Sequence, residues 1–291
     1  MSLFDDEFLK KIEYLYVMSK KVFAGKNKAE RKTKKTATGI EFADHRNYAP
    51  GDDFRSLDWK IYGRTEKLLI RLFEEKEDLS IYFLIDCSGS MRSGREAKFD
   101  YARKMAAALS FIGLCNMDRV SFIPFGDGVL DRMPLCSGRG QIFKIFKFLE
   151  KLESRGGTSF EEAFKTFAGS THRRGLAVVI SDLYNPGGYE QALNFLHFQQ
   201  FETYVIHIVD PKEYAPEARG DVDLIDAETG ERFAMTLTPW LKKQLKAAFE
   251  AYCTEIESYC SRRQMLYIRT PIDVSLDDIV LKIFRQGGFL K

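Results

Sequence analysis

Ile81-Tyr82-Phe83-Leu84-Ile85-Asp86-Cys87-Ser88-Gly89-Ser90-Met91 decides how the rest of the chain is read. Five apolar residues run into an acid, and two serines follow at alternate positions around a glycine. A short apolar run closed by turn residues predicts a buried strand. Asp86 then stands at the C-terminal end of that strand, where open α/β sheets place their ligand sites. In Asp86-x-Ser88-x-Ser90 a carboxylate and two hydroxyls converge on one point if the loop folds over it. Such hard oxygen ligands hold Mg²⁺, Mn²⁺ or Ca²⁺. A polar loop without an ion fits this stretch alone equally well.

Downstream, Phe99, Ala102, Ala106, Leu109 and Ile112 recur at steps of three and four, which predicts a helix over about 96–115. Val120 to Phe125 reads as a second strand, closed by Pro124 and Gly126. Val129 to Leu135 holds Pro134 and reads as an edge strand. Ile142, Phe143, Ile145, Phe146 and Leu149 mark a helix. In Arg155-Gly156-Gly157-Thr158-Ser159, Ser159 with Glu162 forms a capping-box pattern. That places Thr158 in a glycine-made turn at a helix N-terminus. No Gly-Lys-Ser/Thr ending is present, so the turn is not a P-loop. Gly175 to Ile180 is a continuous apolar strand ending in Ser181-Asp182, a second carboxylate at a strand terminus. A helix over 187–199 and a strand over 203–209 follow. Strands therefore alternate with helices from 81 to 210. This predicts an α/β fold, a doubly wound and mainly parallel sheet covered on both faces.

The flanks differ. Residues 4–23 carry apolar residues, Val17 among them, at helical spacing. Pro50-Gly51-Asp52-Asp53 is a turn, and Ser56 to Lys60 reads as a short piece anchored by Trp59. His45 lies among Asp44, Asp52 and Asp53, a setting read as a salt-bridged turn rather than a metal site. Leu68 to Phe73 is a strand. Two strand-like runs in 222–237 flank Ala227-Glu228-Thr229-Gly230 and predict a β-hairpin. Thr238-Pro239 opens a helix as N-cap and N1, with a stripe from Leu241 through Leu245 and Ala248 to Tyr259. Met265 to Ile268 is a last strand, and Ser275 with Asp278 caps a final helix. The expected organisation is an N-terminal segment over 1–78, an α/β core over 79–212, an inserted hairpin over 213–238 and the rest of the core over 239–291. The N-terminal segment and the hairpin are expected to form a small β-rich side module.

Bulk composition narrows the function classes. The chain has 291 residues, 45% hydrophobic and 30% charged, which suits one or two soluble domains. A net charge of +2 points to no partner. The five cysteines include no Cys-x-x-Cys pair, so neither zinc nor a disulfide framework is indicated. The start, Met1 to Glu7, is not a signal peptide, and no apolar run approaches a membrane span. A cytoplasmic protein is the expectation. Lys20 to Lys35 carries eight Lys or Arg and one Glu, without interleaved aromatics from Gly25 to Thr38. It reads as a solvated face, with nucleic-acid attachment as the minor alternative.

Asp86, Ser88, Ser90, Thr158 and Asp182 are then the candidate metal ligands, since their loops can meet on one edge of the sheet. Two carboxylates and three hydroxyls suit Mg²⁺, which keeps waters in its shell; Mn²⁺ or Ca²⁺ are the alternatives. The set resembles the metal-ion-dependent adhesion site of von Willebrand factor A (vWA) domains, matched at all five positions in order. Gly39-Ile40-Glu41-Phe42-Ala43, Tyr48-x-Pro50-Gly51-Asp52-Asp53, Asp58-Trp59-Lys60, Thr65-Glu66-Lys67-Leu68 and Phe73-Glu74-Glu75 resemble the DUF58 family of prokaryotic A-domain proteins. That resemblance implies a protein partner that supplies an Asp or Glu to the metal, and a MoxR-type AAA+ ATPase as partner in assembling or maturing a client complex. It implies no enzyme. A Mg²⁺-dependent phosphatase is the rival, but its second acid would fall at Ser88, and no candidate His lies in these loops.

Overall fold

The computed structural model describes residues 3–26, 41–74, 79–92, 98–154, 156–171, 173–185, 187–218, 220–225 and 230–287. Two compact units result, Met1–Val22 with Leu79–Leu290 and Phe23–Asp78. Helix α1 (Asp6–Lys26) opens the chain. The Asp5 side chain accepts from Phe8 N at 2.8 Å, a cap at the helix start. Phe8, Ile12 and Leu15 are buried, and Phe4 stacks on Phe146 at 4.5 Å. These early turns thus pack in the larger unit. Val17 stands 52% exposed and is not part of the buried stripe. Of the basic run, residues 20–26 continue α1 and 27–35 lie outside the described residues.

In the smaller unit, β1 (Glu41–Asn47) pairs antiparallel with β2 (Leu69–Glu74). Helix α2 (Trp59–Thr65) lies between them in sequence. Asp58 holds this unit together locally. One carboxylate oxygen caps α2 by accepting from Lys60 N and Ile61 N, at 3.0 and 3.2 Å. The other lies 3.1 Å from His45 Nε2. That bond to His45 keeps the Asp58 carboxyl below its ordinary pKa. Two expectations are corrected here. Trp59 is 58% exposed and meets the Tyr62 ring edge-on at 6.1 Å, while the Asp58 cap fixes the turn. His45 sits on a strand, where its ring pairs with Asp58 and its main-chain N donates to Asp44 Oδ1 at 2.8 Å.

The larger unit is built on one sheet. Its strands and helices run β3 (Ser80–Asp86), α3 (Lys98–Cys115), β4 (Arg119–Phe125), β5 (Met133–Ser137), α4 (Ile142–Glu150), α5 (Phe160–Ser170), β6 (Leu176–Ser181), α6 (Glu190–Phe198), β7 (Glu202–Val209), α7 (Pro211–Tyr214), β8 (Gly220–Ile225), β9 (Arg232–Leu237), α8 (Pro239–Arg262), β10 (Leu266–Pro271) and α9 (Leu276–Gly287). The six-stranded sheet has the order β10-β7-β6-β3-β4-β5. All neighbours are parallel except the edge strand β5. The α/β, mainly parallel fold expected from the strand pattern is what forms.

Every residue of β3 is buried, as a central strand covered on both faces requires. Tyr82 and Leu84 face α5, α6 and α8, in a cluster with Phe164, Leu196 and Ile256. Phe83 stacks on Phe122 at 5.1 Å. The apolar spacing of α3 buries most of that helix, which packs with α4 and α9. Gly175 shows why no side chain fits before β6: a Cβ there would lie 2.0 Å from Ser80 O.

Several local expectations change. The edge strand begins at Met133, where pairing with Phe122 sets in, and 129–132 precede it. Pro124 lies inside β4, one residue before its end, as the expected span of 120–125 has it. The capping box at Ser275 forms, with Asp278 N donating to Ser275 Oγ at 3.3 Å. The one at Ser159 does not, since that side chain makes no cap bond. Thr238 caps α8 by accepting from Leu241 N at 3.2 Å. Leu245 and Ala248 are exposed, so the apolar stripe of α8 is buried only from Phe249 onward. β8 and β9 form a hairpin of their own, mostly exposed, whose turn over 226–229 lies outside the described residues. Its two-stranded sheet is separate from that of β1 and β2. No disulfide joins any of the five cysteines. Among the described residues no helix is long and apolar enough to cross a membrane.

Candidate cation site at the end of the sheet

The chain passes from β3 to β4 on one side and later returns to β6 on the other. The ends of β3 and β6 therefore flank the point where the strand order reverses, the usual ligand crevice of such sheets. Asp86 ends β3 and Asp182 follows β6, and both are fully buried. Ser181 Oγ donates to Asp86 Oδ2 at 2.5 Å, and Ser88 N donates to Asp86 Oδ1 at 2.9 Å. Ser88 Oγ and Ser90 Oγ lie 2.9 Å apart. Burial, then the Asp182 charge, raise the Asp86 carboxyl to about 7 despite the bonds from Ser181 and Ser88.

Thr158 comes from the turn before α5, and the main chain stitches that turn to the Asp86 loop. Gly89 N donates to Gly156 O at 2.9 Å, and Ser154 Oγ donates to Ser88 O. Gly156 has φ +77°, a left-handed conformation that favours glycine. Thr158 Oγ1 is shut off from water and finds no hydrogen-bond partner among the described residues. An unpaired buried hydroxyl costs about 1–3 kcal/mol unless something else takes its lone pair. The structure thus joins Asp86, Ser88 and Ser90 directly, Asp182 through its neighbour Ser181, and Thr158 through its loop.

Lys98 was not anticipated. Its ammonium is buried 2.6 Å from Asp182 Oδ2 and 2.6 Å from Glu213 Oε1, and lies 5.3 Å from the Tyr184 ring centroid. Burial opposes its charge, but Asp182 and Glu213 outweigh that and its pKa is raised. The sequence held a signal: Lys98 precedes Ala102 by one helical turn and so shares the apolar face of α3. Tyr184 N donates to Asp182 Oδ1 at 3.2 Å.

Groups that could do covalent or acid–base chemistry here are sealed. Cys87 Sγ lies 3.6 Å from Ile85 O, and burial followed by the Asp86 charge pushes its thiol far up. His207 sits on β7 opposite Ser181, fully buried, with Nδ1 2.8 Å from Tyr267 OH. Burial depresses its pKa to about 3.

Comparison with known proteins follows this geometry. Residues 44–258 match the family described as "Protein of unknown function DUF58". The chain belongs to the DUF58 family. Uncharacterised proteins of Mycobacterium tuberculosis and Mycobacterium bovis are each 27% identical to this DUF58 chain over 262 residues, covering 87% of it and 81% of each relative. Among solved structures, the conserved hypothetical protein BatB of Bacteroides thetaiotaomicron is 16% identical with a TM-score of 0.45, covering 71% of this chain and 98% of that one. The VWA domain of SpRpn10 is 14% identical with a TM-score of 0.41, covering 71% and 95%. The fold of this DUF58 member rests on its own sheet order and register.

The donor chemistry fits a hard divalent ion. Among the described residues no cluster of three or more His, Cys, Asp or Glu could hold a metal. Any ion at this edge would draw on hydroxyls beside Asp86, which favours Mg²⁺ over zinc. The orphaned Thr158 hydroxyl is the observation that asks for one.

Proposed function

We propose that this DUF58 protein is a divalent-cation-dependent protein-binding module. Asp86, Ser88, Ser90 and Thr158 would hold Mg²⁺, with Asp182 supporting the ion from the next strand. Bound there, the ion supplies an electrophilic position for a partner's Asp or Glu. Hydroxyl ligands neutralise little of its charge, and of the two strand-end acids Asp182 is paired with Lys98 while Asp86 accepts from neutral donors among the described residues. The observation that carries this reading is the buried, unpartnered Thr158 Oγ1 on a turn stitched to the Asp86 loop.

The same geometry supports a binding role over catalysis. Ser88 occupies the place of a phosphatase's second acid, Cys87 is a buried thiol, and His207 is closed off and neutral. A cytoplasmic location follows the sequence reading. A MoxR-type AAA+ ATPase is the proposed partner, drawn from the resemblance of the 39–75 segment to DUF58 proteins, with assembly or maturation of a client complex as the joint task.

The test is capture of a MoxR-type ATPase, and of client proteins from native lysate, by the purified full chain with Mg²⁺ and with EDTA. The expected result is capture in Mg²⁺ that is lost in EDTA and in Asp86→Ala. Equal capture in EDTA would overturn the cation dependence.

A further inference from the structure

The two acids at the strand ends are provided for differently. Asp182 has a permanent cation, the Lys98 ammonium at 2.6 Å, enclosed with 1% exposure on both side chains. Among the described residues Asp86 accepts from neutral donors, Ser181 Oγ and Ser88 N. Glu213 shares the same ammonium from the capped turn α7, where Asp210 accepts from Lys212 N at 2.9 Å. Glu213 is the more exposed member, at 25% of its side chain. The Tyr184 ring closes the remaining side of Lys98.

Resting on the cation reading above, we propose that Lys98 is a built-in counter-cation that sets how tightly the site holds its divalent ion. By offsetting the Asp182 charge, it leaves Asp86 as the one uncompensated carboxylate. The metal then keeps much of its charge for an incoming carboxylate, at the expense of its own affinity for the site. Glu213 draws part of the Lys98 field away from Asp182 and so adjusts the same quantity in the opposite sense. Charges a few ångströms apart in a partly buried site interact strongly enough to move a binding constant by an order of magnitude.

This makes Lys98 a positioning residue with a signed test. Mg²⁺ alone is titrated into the full chain by calorimetry for wild type, Lys98→Met, Lys98→Arg and Glu213→Gln, with circular dichroism as the check on folding. Lys98→Met is expected to bind Mg²⁺ at least tenfold tighter, about 1.4 kcal/mol, because the Asp182 charge is then no longer offset. Lys98→Arg should stay within a few-fold of wild type. Glu213→Gln should bind about threefold to tenfold more weakly, since Lys98 then acts on Asp182 undivided. A merely structural lysine would weaken binding in both charge-removing variants. Should Lys98→Met fail to fold, Lys98→Gln takes its place with the same tighter binding expected, and weaker binding there, or Mg²⁺ affinity equal to or above wild type in Glu213→Gln, overturns the proposal. Wild type that binds Mg²⁺ with all variants alike overturns this inference only. Wild type that binds no Mg²⁺ overturns the cation reading and this inference together.

Discussion

Ser181 Oγ donates to Asp86 Oδ2 at 2.5 Å across the gap between two neighbouring strand ends. The bond joins residues 95 positions apart and holds the Asp86 carboxylate in place. It does not neutralise that acid.

Asp86 therefore costs stability in the metal-free protein. Its folded pKa, about 7, lies above the ordinary value of 3.8. Between those two pH values the native state holds the extra proton, so metal-free stability falls as pH rises from 3.8 to 7 and stays low above. Asp86→Asn should stabilise the EDTA-treated protein at pH 8 by about 2 kcal/mol, and Mg²⁺ should no longer raise its melting temperature. Urea melts in EDTA and in Mg²⁺ measure both. Lower stability of the variant in EDTA at pH 8 would refute the assignment.

His207 works on the acid side with the opposite sign. Folded at about 3 and ordinarily at 6.5, it stays neutral in the native state while the unfolded chain takes up a proton. Its contribution is whole above 6.5 and is lost as pH falls toward 3. At pH 5 the loss is about 2 kcal/mol relative to pH 8. Subtracting the wild-type pH dependence from that of His207→Gln should reveal this difference in chemical denaturation. Parallel curves for the two proteins would contradict it.

Thr158→Val separates a ligand from a structural hydroxyl. No hydrogen bond is lost, since Thr158 Oγ1 has no partner among the described residues. In EDTA the variant should be as stable as wild type, or more stable by about 1 kcal/mol. In calorimetry its Mg²⁺ affinity should fall about tenfold. A large loss of stability in EDTA would mean that the hydroxyl is already satisfied.

Gly175→Ala tests the approach of β6 to β3. The added methyl would meet the Ser80 main chain at 2.0 Å, and a backbone atom cannot swing away. A loss of about 2 kcal/mol or more is expected in urea unfolding. A variant within about 0.5 kcal/mol of wild type would show that the strands part easily.

Much of the larger unit could be read from the chain because its signals were local and mutually consistent. Ile81 to Ile85 and Leu176 to Ile180 are apolar throughout, which only strands covered on both faces require. Thr238-Pro239 and Ser275 with Asp278 carry their caps within one turn. That the loops after β3 and β6 can meet on one edge followed from the alternation of strands and helices, whereas the pairing of these two strands did not. What escaped depended on distant partners. Lys98 takes its role from Asp182 and Glu213, both far from it in the chain. Ser181 was passed over because its partner is Asp86, far away in sequence. Ser159 had the spacing of a capping box, but its main chain is drawn to Gly126 O at 2.8 Å and the side chain makes no cap. Trp59 drew attention by size, whereas Asp58 beside it makes the bonds.

The order of the strands also sets a timetable. β3 gains β4 soon after it is made, but its second neighbour, β6, ends at residue 181. A nascent chain that stops short of that point carries Asp86 without Ser181 and without the acid that Lys98 is shaped to meet. The lysine and the carboxylate of Asp86 are both made early, and each waits for the same stretch to arrive. Pairing of β3 with β6 and closure of the site are therefore a single event. Ribosome-bound chains released before β6 emerges should show neither protection of α3 nor a response to Mg²⁺.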